Sequence, residues 1–178
     1  GEQGIHAVSA APYGSVSMLP VTYGYLLMLG AEGLKYVTEM AILNANYLAS
    51  SFEKLGFKIL FKGKQGRVGH EMIWDCSAFN KEYGISELDI AKRLMDFGFH
   101  APTLSFPVHG TLMVEPTESE PKEELDRFIE ALKTIREEMC EVAEGKADKT
   151  DNVLKNAPHT HKVLTADEWT HTYPRSKA

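Results

Sequence analysis

The chain has 178 residues, of which 43% are hydrophobic and 25% charged, and its formal net charge is −6. This composition favours a folded globular protein with one sizeable core over a disordered chain. A negatively charged chain without a run of basic residues lacks the electrostatic footprint that a phosphate backbone requires, so we expect no nucleic-acid partner.

The spacing of the cysteines and the hydropathy of the chain further restrict the class of protein. Cys76 and Cys140 lie far apart, which indicates neither a disulfide framework nor a zinc site and fits a reducing compartment. The longest apolar stretch, residues 16–29, is interrupted by Pro20 and is shorter than the roughly 20 residues that span a bilayer, so we expect a buried segment and no membrane partner. The start at Gly1, without methionine or secretory signal, suggests a piece of a longer protein.

The first predicted elements are a helix and a hairpin. Helix formers with apolar positions three and four apart predict a helix over residues 31–55, followed by Gly56 where a C-terminal glycine is expected. Residues 57–61 and 67–76 are rich in strand formers, and the intervening KGKQG predicts a turn between them.

A second helix and a second pair of strands follow. Ser86 and Asp89 have the spacing of a capping box and predict a helix that Gly98 closes. Short apolar runs at residues 104–106 and 111–114 lie among prolines and glycines, which predicts two short strands joined by a turn.

The remaining predicted elements are helices. Pro121 precedes apolar residues spaced three and four apart up to position 142, which predicts a long amphipathic helix. Thr165 and Glu168 have capping-box spacing and predict a short helix bearing Trp169. The order α, ββ, α, ββ, α is typical of an α+β domain with a small mixed or antiparallel sheet covered by helices.

Two stretches have residue types that suit binding. Gly14 and Ser15 precede an apolar helical run, so freed backbone amides and a hydroxyl could bind an anion, although a merely capped helix start has the same pattern. His100 lies in GFHAPTLSFPV, where dense glycine and proline predict a rigid loop of the kind that often carries a site. A structural, hydrogen-bonded histidine is the alternative there, and Thr103 and Ser105 share both interpretations.

Two other clusters fit metal binding less well. Acidic residues concentrate from Glu115 to Glu124, but their spacing does not match a calcium loop and suits the solvated first turn of a helix. His159 and His161, with His171 nearby, could be zinc ligands if they converged, yet HxH lacks a third spaced ligand. We therefore predict no metal site and a surface or interface role for these histidines.

Five separated blocks carry a family resemblance. They are VSAAPYGSVSMLP from Val8, AILNANYLA from Ala41, AKRLMDFGFHAPTLSFPV from Ala91, GTLMVEPTESEPKEELDRF from Gly110 and APHT from Ala157. In this order and spacing they resemble the C-terminal part of the P-protein of the glycine cleavage system, which is a pyridoxal-phosphate-dependent glycine decarboxylase.

The resemblance implies a fold-type-I enzyme whose cofactor forms a Schiff base with a lysine of a large domain, while a smaller C-terminal domain closes over the site. Such an enzyme is a glycine dehydrogenase (aminomethyl-transferring, decarboxylating). It decarboxylates glycine and passes the aminomethyl group to the lipoyl group of the H-protein. The domains implied here are residues 1–30, which belong to or contact the missing large domain, a small α+β domain at 31–145 and an arm at 146–178.

The resemblance also assigns residues. Pro12, Tyr13, Gly14 and Ser15 match the APYGS block and are expected to bind the cofactor, at its phosphate. The GFHAPT block is matched by a second set of residues, which we expect to position substrate or carrier. This second set is His100, Pro102 and Thr103. At Trp74 the family commonly has a smaller aliphatic residue, which predicts a repacked strand.

No lysine of this chain stands in the family's lysine block, so we expect no catalytic residue, no covalently bound cofactor and no activity of the chain alone. The expected partners are glycine, the lipoylated H-protein and the remainder of the P-protein, in a homodimer or a two-chain assembly. The expected location is cytoplasmic, or mitochondrial in a eukaryote. A stand-alone binding or regulatory module of the same fold is the alternative.

Overall fold

The computed structural model describes residues 3–4 and 14–178. The chain divides into two compact units, residues 1–39 and residues 40–178. Helix α1, Leu19–Lys54, follows a short 3-10 helix at Val16–Met18 and has one break, at Gly30, where φ is 59° and ψ is −173°. That backbone region is essentially restricted to glycine. Regular helix therefore resumes at Ala31, where the sequence pattern predicts its start.

The apolar side chains of residues 16–28 are exposed, so the expectation of a buried segment is wrong for this chain. They are Val16, Met18, Leu19, Val21, Tyr23, Tyr25, Leu26, Leu27 and Met28. The described part of residues 1–39 is almost entirely helical, and a helix with apolar residues on all sides has no second layer within that unit to cover it. Such helices are usually buried inside larger proteins.

Residues 40–178 contain a four-stranded antiparallel sheet, which confirms the α+β class. The strands are β1 (Lys58–Leu60), β2 (Met72–Asp75), β3 (Thr103–Leu104) and β4 (Thr111–Val114), in the order β1-β2-β4-β3. Trp74 of β2 pairs with Ile59 on one side and with Leu112 on the other.

The predicted hairpin is present, but its second strand begins later than residue 67. The side-chain amide of Asn46 donates to the Val68 carbonyl (2.9 Å), and its oxygen accepts from the Val68 amide (3.1 Å). Both backbone groups of Val68 are thus satisfied by a side chain and are not available to the ladder. Strand pairing starts only at Met72.

The described part of residues 40–178 contains all or part of six helices. They are the end of α1, α2 (Ser77–Tyr83), α3 (Glu87–Asp96), α4 (Lys122–Ala143), α5 (Val153–Asn156) and α6 (His161–Leu164), with a final 3-10 turn at Arg175–Lys177. The Ser86–Asp89 capping box is confirmed, with both reciprocal bonds formed. Pro121 precedes α4, as predicted.

The predicted helix bearing Trp169 is wrong. Thr165 ends α6 instead of starting a helix, because its amide and its hydroxyl both donate to the carbonyl of His161, at 3.0 and 2.8 Å. Thr160 caps α6, through a bond from the Val163 amide to its hydroxyl. Trp169 lies in irregular chain and donates its indole N–H to the backbone carbonyl of Tyr173.

The core lies between one face of the sheet and helices α1, α3 and α4. Phe52 meets Trp74 edge to face at 5.3 Å and Phe57 at 5.8 Å, so aromatic rings fill its centre. Leu94 and Leu132 close it from the helical side and are fully buried. In the described residues, no helix combines the length and apolarity needed to cross a bilayer.

Candidate functional site

The loop that carries His100 leaves α3 along a fixed path. Gly98 has φ of 76°, a left-handed conformation that favours glycine, and its amide donates to the carbonyl of Met95 at 2.9 Å. The Phe99 amide donates to the Leu94 carbonyl at 3.0 Å. These two bonds close the helix end in the manner of a Schellman turn. Because the turn is rigid, the direction in which His100 projects is set locally.

A cavity of about 430 Å³ lies where this loop meets β4 and the start of α4. Its lining comprises Leu48, Gly98, Phe99, His100, Ala101, Pro102, Thr103, Met113, Val114, Glu115, Pro116, Glu120, Glu124, Leu125 and Phe128. The structure thus brings the second predicted set, residues 100, 102 and 103, to one concave surface. The volume lies in the usual range for small-molecule pockets.

The floor of the cavity is apolar. Leu48, Val114, Leu125 and Phe128 are buried there, and the ring of Phe99 packs edge to face on that of Phe128 at 4.9 Å. The side chains of Phe99 and Met113 also line the floor and stay partly exposed. The floor can therefore accept a hydrocarbon group, because contact with these two side chains removes apolar surface from water.

The rim of the cavity carries carboxylates, one of which is already paired. Arg127 donates to both oxygens of Glu124, at 2.8 and 2.5 Å, and to the carbonyl of Phe97 at 2.6 Å. Its guanidinium lies 3.7 Å from the centre of the Phe99 ring. The hydrogen bonds from Arg127 lower the pKa of Glu124, which therefore stays ionised beside its cation.

The sequence pattern of the acidic stretch before α4 predicts the solvated start of a helix. Glu124 does lie in the first turn of α4, as expected. Glu115 and Glu120, however, face the cavity as well, which the spacing alone did not predict. One sequence feature does indicate the position of these acids. Apolar residues at positions 125 and 128 lie one and four residues beyond Glu124, so acidic and apolar side chains alternate at the start of α4.

The APYGS segment is only partly described. Pro12 and Tyr13 lie outside the described residues. Gly14 has φ of 97°, and a methyl group built there would meet no atom within 4 Å. Ser15 does not cap the following turn, so the capped-start alternative is not seen; its hydroxyl lies 2.7 Å from that of Ser17 and is exposed.

His159 has a buried structural position, so the predicted surface or interface role is wrong for this residue. Its side chain is 1% exposed, and Nδ1 lies 2.7 Å from the carboxylate of Asp96 while Nε2 lies 2.7 Å from the hydroxyl of Tyr173. Arg93 donates to Asp96 at 2.9 Å and to both oxygens of Glu138, at 3.1 and 2.6 Å. Burial raises the pKa of the Glu138 carboxyl, and the bonds from Arg93 oppose that rise.

The other two histidines of the predicted cluster have separate environments. His171 Nδ1 lies 2.8 Å from Asp151, and His161 is exposed in the first turn of α6. Across residues 3–4 and 14–178, no group of three or more His, Cys, Asp or Glu side chains is arranged to hold a metal ion.

Comparison with known proteins identifies the family. A family model described as "Glycine dehydrogenase, C-terminal domain" matches residues 37–159. Glycine dehydrogenase (decarboxylating) of Flavobacterium johnsoniae is 60% identical over 178 residues, and that of Bacteroides fragilis is 59% identical over 171 residues. The enzyme of the same name from Bdellovibrio bacteriovorus is 55% identical over 175 residues. These alignments cover 100%, 96% and 98% of the chain, respectively.

The α+β fold and the loop-lined cavity therefore belong to a chain that matches one domain of an enzyme family. The chain belongs to the family of glycine dehydrogenase C-terminal domains. It spans 18% of the length of the curated relatives it matches.

Proposed function

We propose that the chain is the C-terminal part of a pyridoxal-phosphate-dependent glycine dehydrogenase (decarboxylating), which decarboxylates glycine and passes the aminomethyl group to the lipoyl group of the H-protein. The observation that carries this proposal is 60% identity along all 178 residues to a relative of that name. Identity at this level over an entire domain supports a shared role in the complete enzyme. When bound, the cofactor supplies the electron sink that stabilises the carbanion left by decarboxylation.

The cofactor's phosphate is assigned to Pro12, Tyr13, Gly14 and Ser15. The described half of this segment fits such a role, because the Ser15 hydroxyl is not used as a helix cap and no atom crowds Gly14. Serine hydroxyls and backbone amides are common ligands of phosphate groups. These residues would orient the cofactor without holding it covalently.

His100, Pro102 and Thr103 are proposed to position the substrate or the carrier. All three line the cavity, and the backbone around them is fixed by the turn at Gly98. The imidazole and the hydroxyl can each donate or accept a hydrogen bond at the cavity wall.

A matched pair of histidine variants tests the role of the cavity. In the complete enzyme, His100→Ala should lower kcat/KM by about tenfold or more, as expected when a group that orients a reactant is removed. His109→Ala is the control, because His109 is exposed and does not line the cavity. Equal losses in the two variants would refute a specific role for His100.

The chain alone is proposed to be inactive. With added pyridoxal phosphate it should develop no absorbance band of a lysine-bound cofactor and catalyse no exchange between glycine and carbon dioxide. The complete enzyme with lipoylated H-protein is the positive control. Exchange catalysed by the isolated chain would contradict this part of the proposal.

The assembly and location follow from the same family assignment. We propose that residues 1–30 belong to or contact the large domain, and that the complete enzyme forms a homodimer or a two-chain assembly in the cytoplasm, or in mitochondria in a eukaryote. The exposed apolar side chains of residues 16–28 support the contact, since such residues are normally covered.

A further inference from the structure

The residues with a formal charge that line the cavity beside His100, among those that the structure describes, are all acidic. Of the described residues that line it, Glu115, Glu120 and Glu124 are the acidic ones, and neither lysine nor arginine is among them. A carboxylate or a phosphate placed there would meet like charge, which is unfavourable. A cation would meet opposite charge, so the rim selects for a positively charged ligand.

The size and floor of the cavity select for an apolar body on that ligand. Its volume of about 430 Å³ is far larger than glycine requires. Its apolar floor is formed by the buried side chains of Leu48, Leu125 and Phe128 and by the partly exposed side chains of Phe99 and Met113. A ligand that fills the space must therefore carry hydrocarbon as well as charge.

The cavity wall already binds one cation of the protein itself. The guanidinium of Arg127 stacks on the ring of Phe99 and pairs with Glu124, both of which line the cavity. An aromatic face next to a carboxylate is a general way to bind a cation. This internal pair neutralises Glu124, so Glu115 and Glu120 are the other carboxylates at the rim. Nε2 of the exposed His70 lies 3.9 Å from the Glu115 carboxylate.

We propose that this cavity binds an aliphatic primary amine, with its hydrocarbon chain on the apolar floor and its ammonium group at Glu115 and Glu120. Thr103 and His100 can accept further hydrogen bonds from the ammonium. The statement that such an amine is a reactant of the enzyme rests on the proposed function, in which an aminomethyl group is transferred. The binding itself rests on the lining alone.

Calorimetric titration of the 178-residue chain tests the proposal with three probes of equal chain length, namely n-hexylammonium, n-hexanol and n-hexanoate. We expect the ammonium to bind about tenfold or more tightly than the carboxylate, with the alcohol between them. Methylammonium should bind much more weakly than hexylammonium, because the floor contributes through the hydrocarbon. Equal affinity for ammonium and carboxylate would overturn the proposal.

Two variants of the acidic stretch separate the cavity from general surface charge. Glu120→Gln should weaken hexylammonium binding about two- to fivefold, which is the range for one exposed charge pair. Glu118→Gln is the matched control, since Glu118 lies two residues away and does not line the cavity. Equal weakening by both variants would show that only the net charge matters and would reject the site.

The outcomes distinguish this inference from the proposed function. Amine binding by the chain, together with a complete enzyme that does not decarboxylate glycine, would reject the proposed function and retain the cavity's specificity. A folded chain that does not bind hexylammonium, within an enzyme that turns over glycine, would reject the inference alone. Circular dichroism of each protein shows whether it is folded.

Discussion

Trp74 illustrates at the level of one residue how packing and hydrogen bonding oppose each other. It is fully buried, with its ring 4.5 Å from that of Phe57 and 5.3 Å from that of Phe52. Its indole Nε1 has no hydrogen-bond partner among the described residues. An unsatisfied buried donor costs about 1–3 kcal/mol, which offsets part of what the ring contributes by burial.

Trp74→Phe should therefore change the free energy of unfolding by less than about 1.5 kcal/mol, because the lost apolar area is compensated by removal of the orphan donor. Trp74→Ala should cost about 3–5 kcal/mol, since it leaves a cavity in the core. Urea denaturation followed by circular dichroism measures both. If Trp74→Phe lowered the free energy of unfolding as much as Trp74→Ala does, the unpaired indole N–H would not be destabilising.

The Asp151 carboxylate forms hydrogen bonds with residues near the C-terminus, at positions 171 and 172. Partial burial would raise its pKa, but the amide of Thr172, His171, Asn156 and the Thr172 hydroxyl together lower the pKa of the Asp151 carboxyl to about 2. The Thr172 amide donates to it at 2.7 Å and Asn156 at 2.7 Å. The folded state thus favours the ionised carboxylate.

Because an unfolded aspartate titrates near pH 3.9, the stability due to Asp151 is fully present above that pH and is lost as the pH falls towards 2. We expect Asp151→Asn to be less stable than the wild type at pH 6, and the difference to shrink between pH 4 and pH 2. Thermal unfolding at a series of pH values measures this. Asp167→Asn, at an exposed position, is the control and should follow the wild-type curve.

At the scale of elements, a buried ionic network connects α3, α4 and the C-terminal arm. Arg93 of α3 bonds Glu138 of α4, Asp96 and the carbonyl of Lys177, while Asp96 also accepts from the amide of His159 at 2.6 Å. Asp96 is the last residue of α3, shortly before the loop that lines the cavity. The C-terminal arm therefore stabilises the end of α3, which leads into the loop that carries His100.

Arg93→Met should destabilise the chain by about 3–5 kcal/mol, because it leaves two buried carboxylates without their cation. The double variant Arg93→Met/Glu138→Leu should recover part of that loss, since it removes one of the unpaired charges. A double-mutant cycle from urea denaturation measures the coupling. Additive effects of the two substitutions would show that the pair is not coupled.

The elements that the sequence predicts well have signals within one turn of chain. Ser86 and Asp89 make their capping bonds to each other, and their spacing is enough to locate the start of α3. Helix α2 was not predicted, since its N-cap residue Cys76 makes no side-chain capping bond. The hydroxyl of Thr165 suits either end of a helix, and only the contact with His161 decides which.

The candidate site was predictable to a smaller extent. The loop residues at 100, 102 and 103 could be singled out, since glycine and proline around them indicate a rigid path. Leu48 and Phe128 reach the same cavity from positions far away in the sequence, so no local pattern links them to His100. The acidic residues of the rim could not be assigned to the cavity from the sequence, because their position there depends on how β4 and the start of α4 approach each other.

At the scale of the whole molecule, the chain is a small share of the curated relatives, at 18% of their length. The second unit has its own buried core, whereas residues 16–28 expose apolar side chains such as Leu27 and Met28. If this segment contacts the large domain, as proposed, its exposed side chains should contribute to stability only in the complete enzyme.

Leu27→Glu should leave the unfolding free energy of the 178-residue chain within about 0.5 kcal/mol of the wild type, because the side chain is exposed. In the complete enzyme the same substitution should lower the melting temperature, since it would place a charge in a covered apolar contact. Lys35→Glu, on an exposed polar position of α1, is the control. An unchanged melting temperature for Leu27→Glu would contradict the proposed contact.

The brevity of the two outer strands bears on how the protein behaves when concentrated. β1 and β3 are the edges of the sheet and have only three and two residues. Each edge therefore offers few unpaired backbone groups to another molecule, and a lysine on β1 together with Pro107 just beyond β3 makes strand addition still less favourable. Intermolecular β-sheet growth and amyloid-like aggregation should not start from this fold while it remains folded.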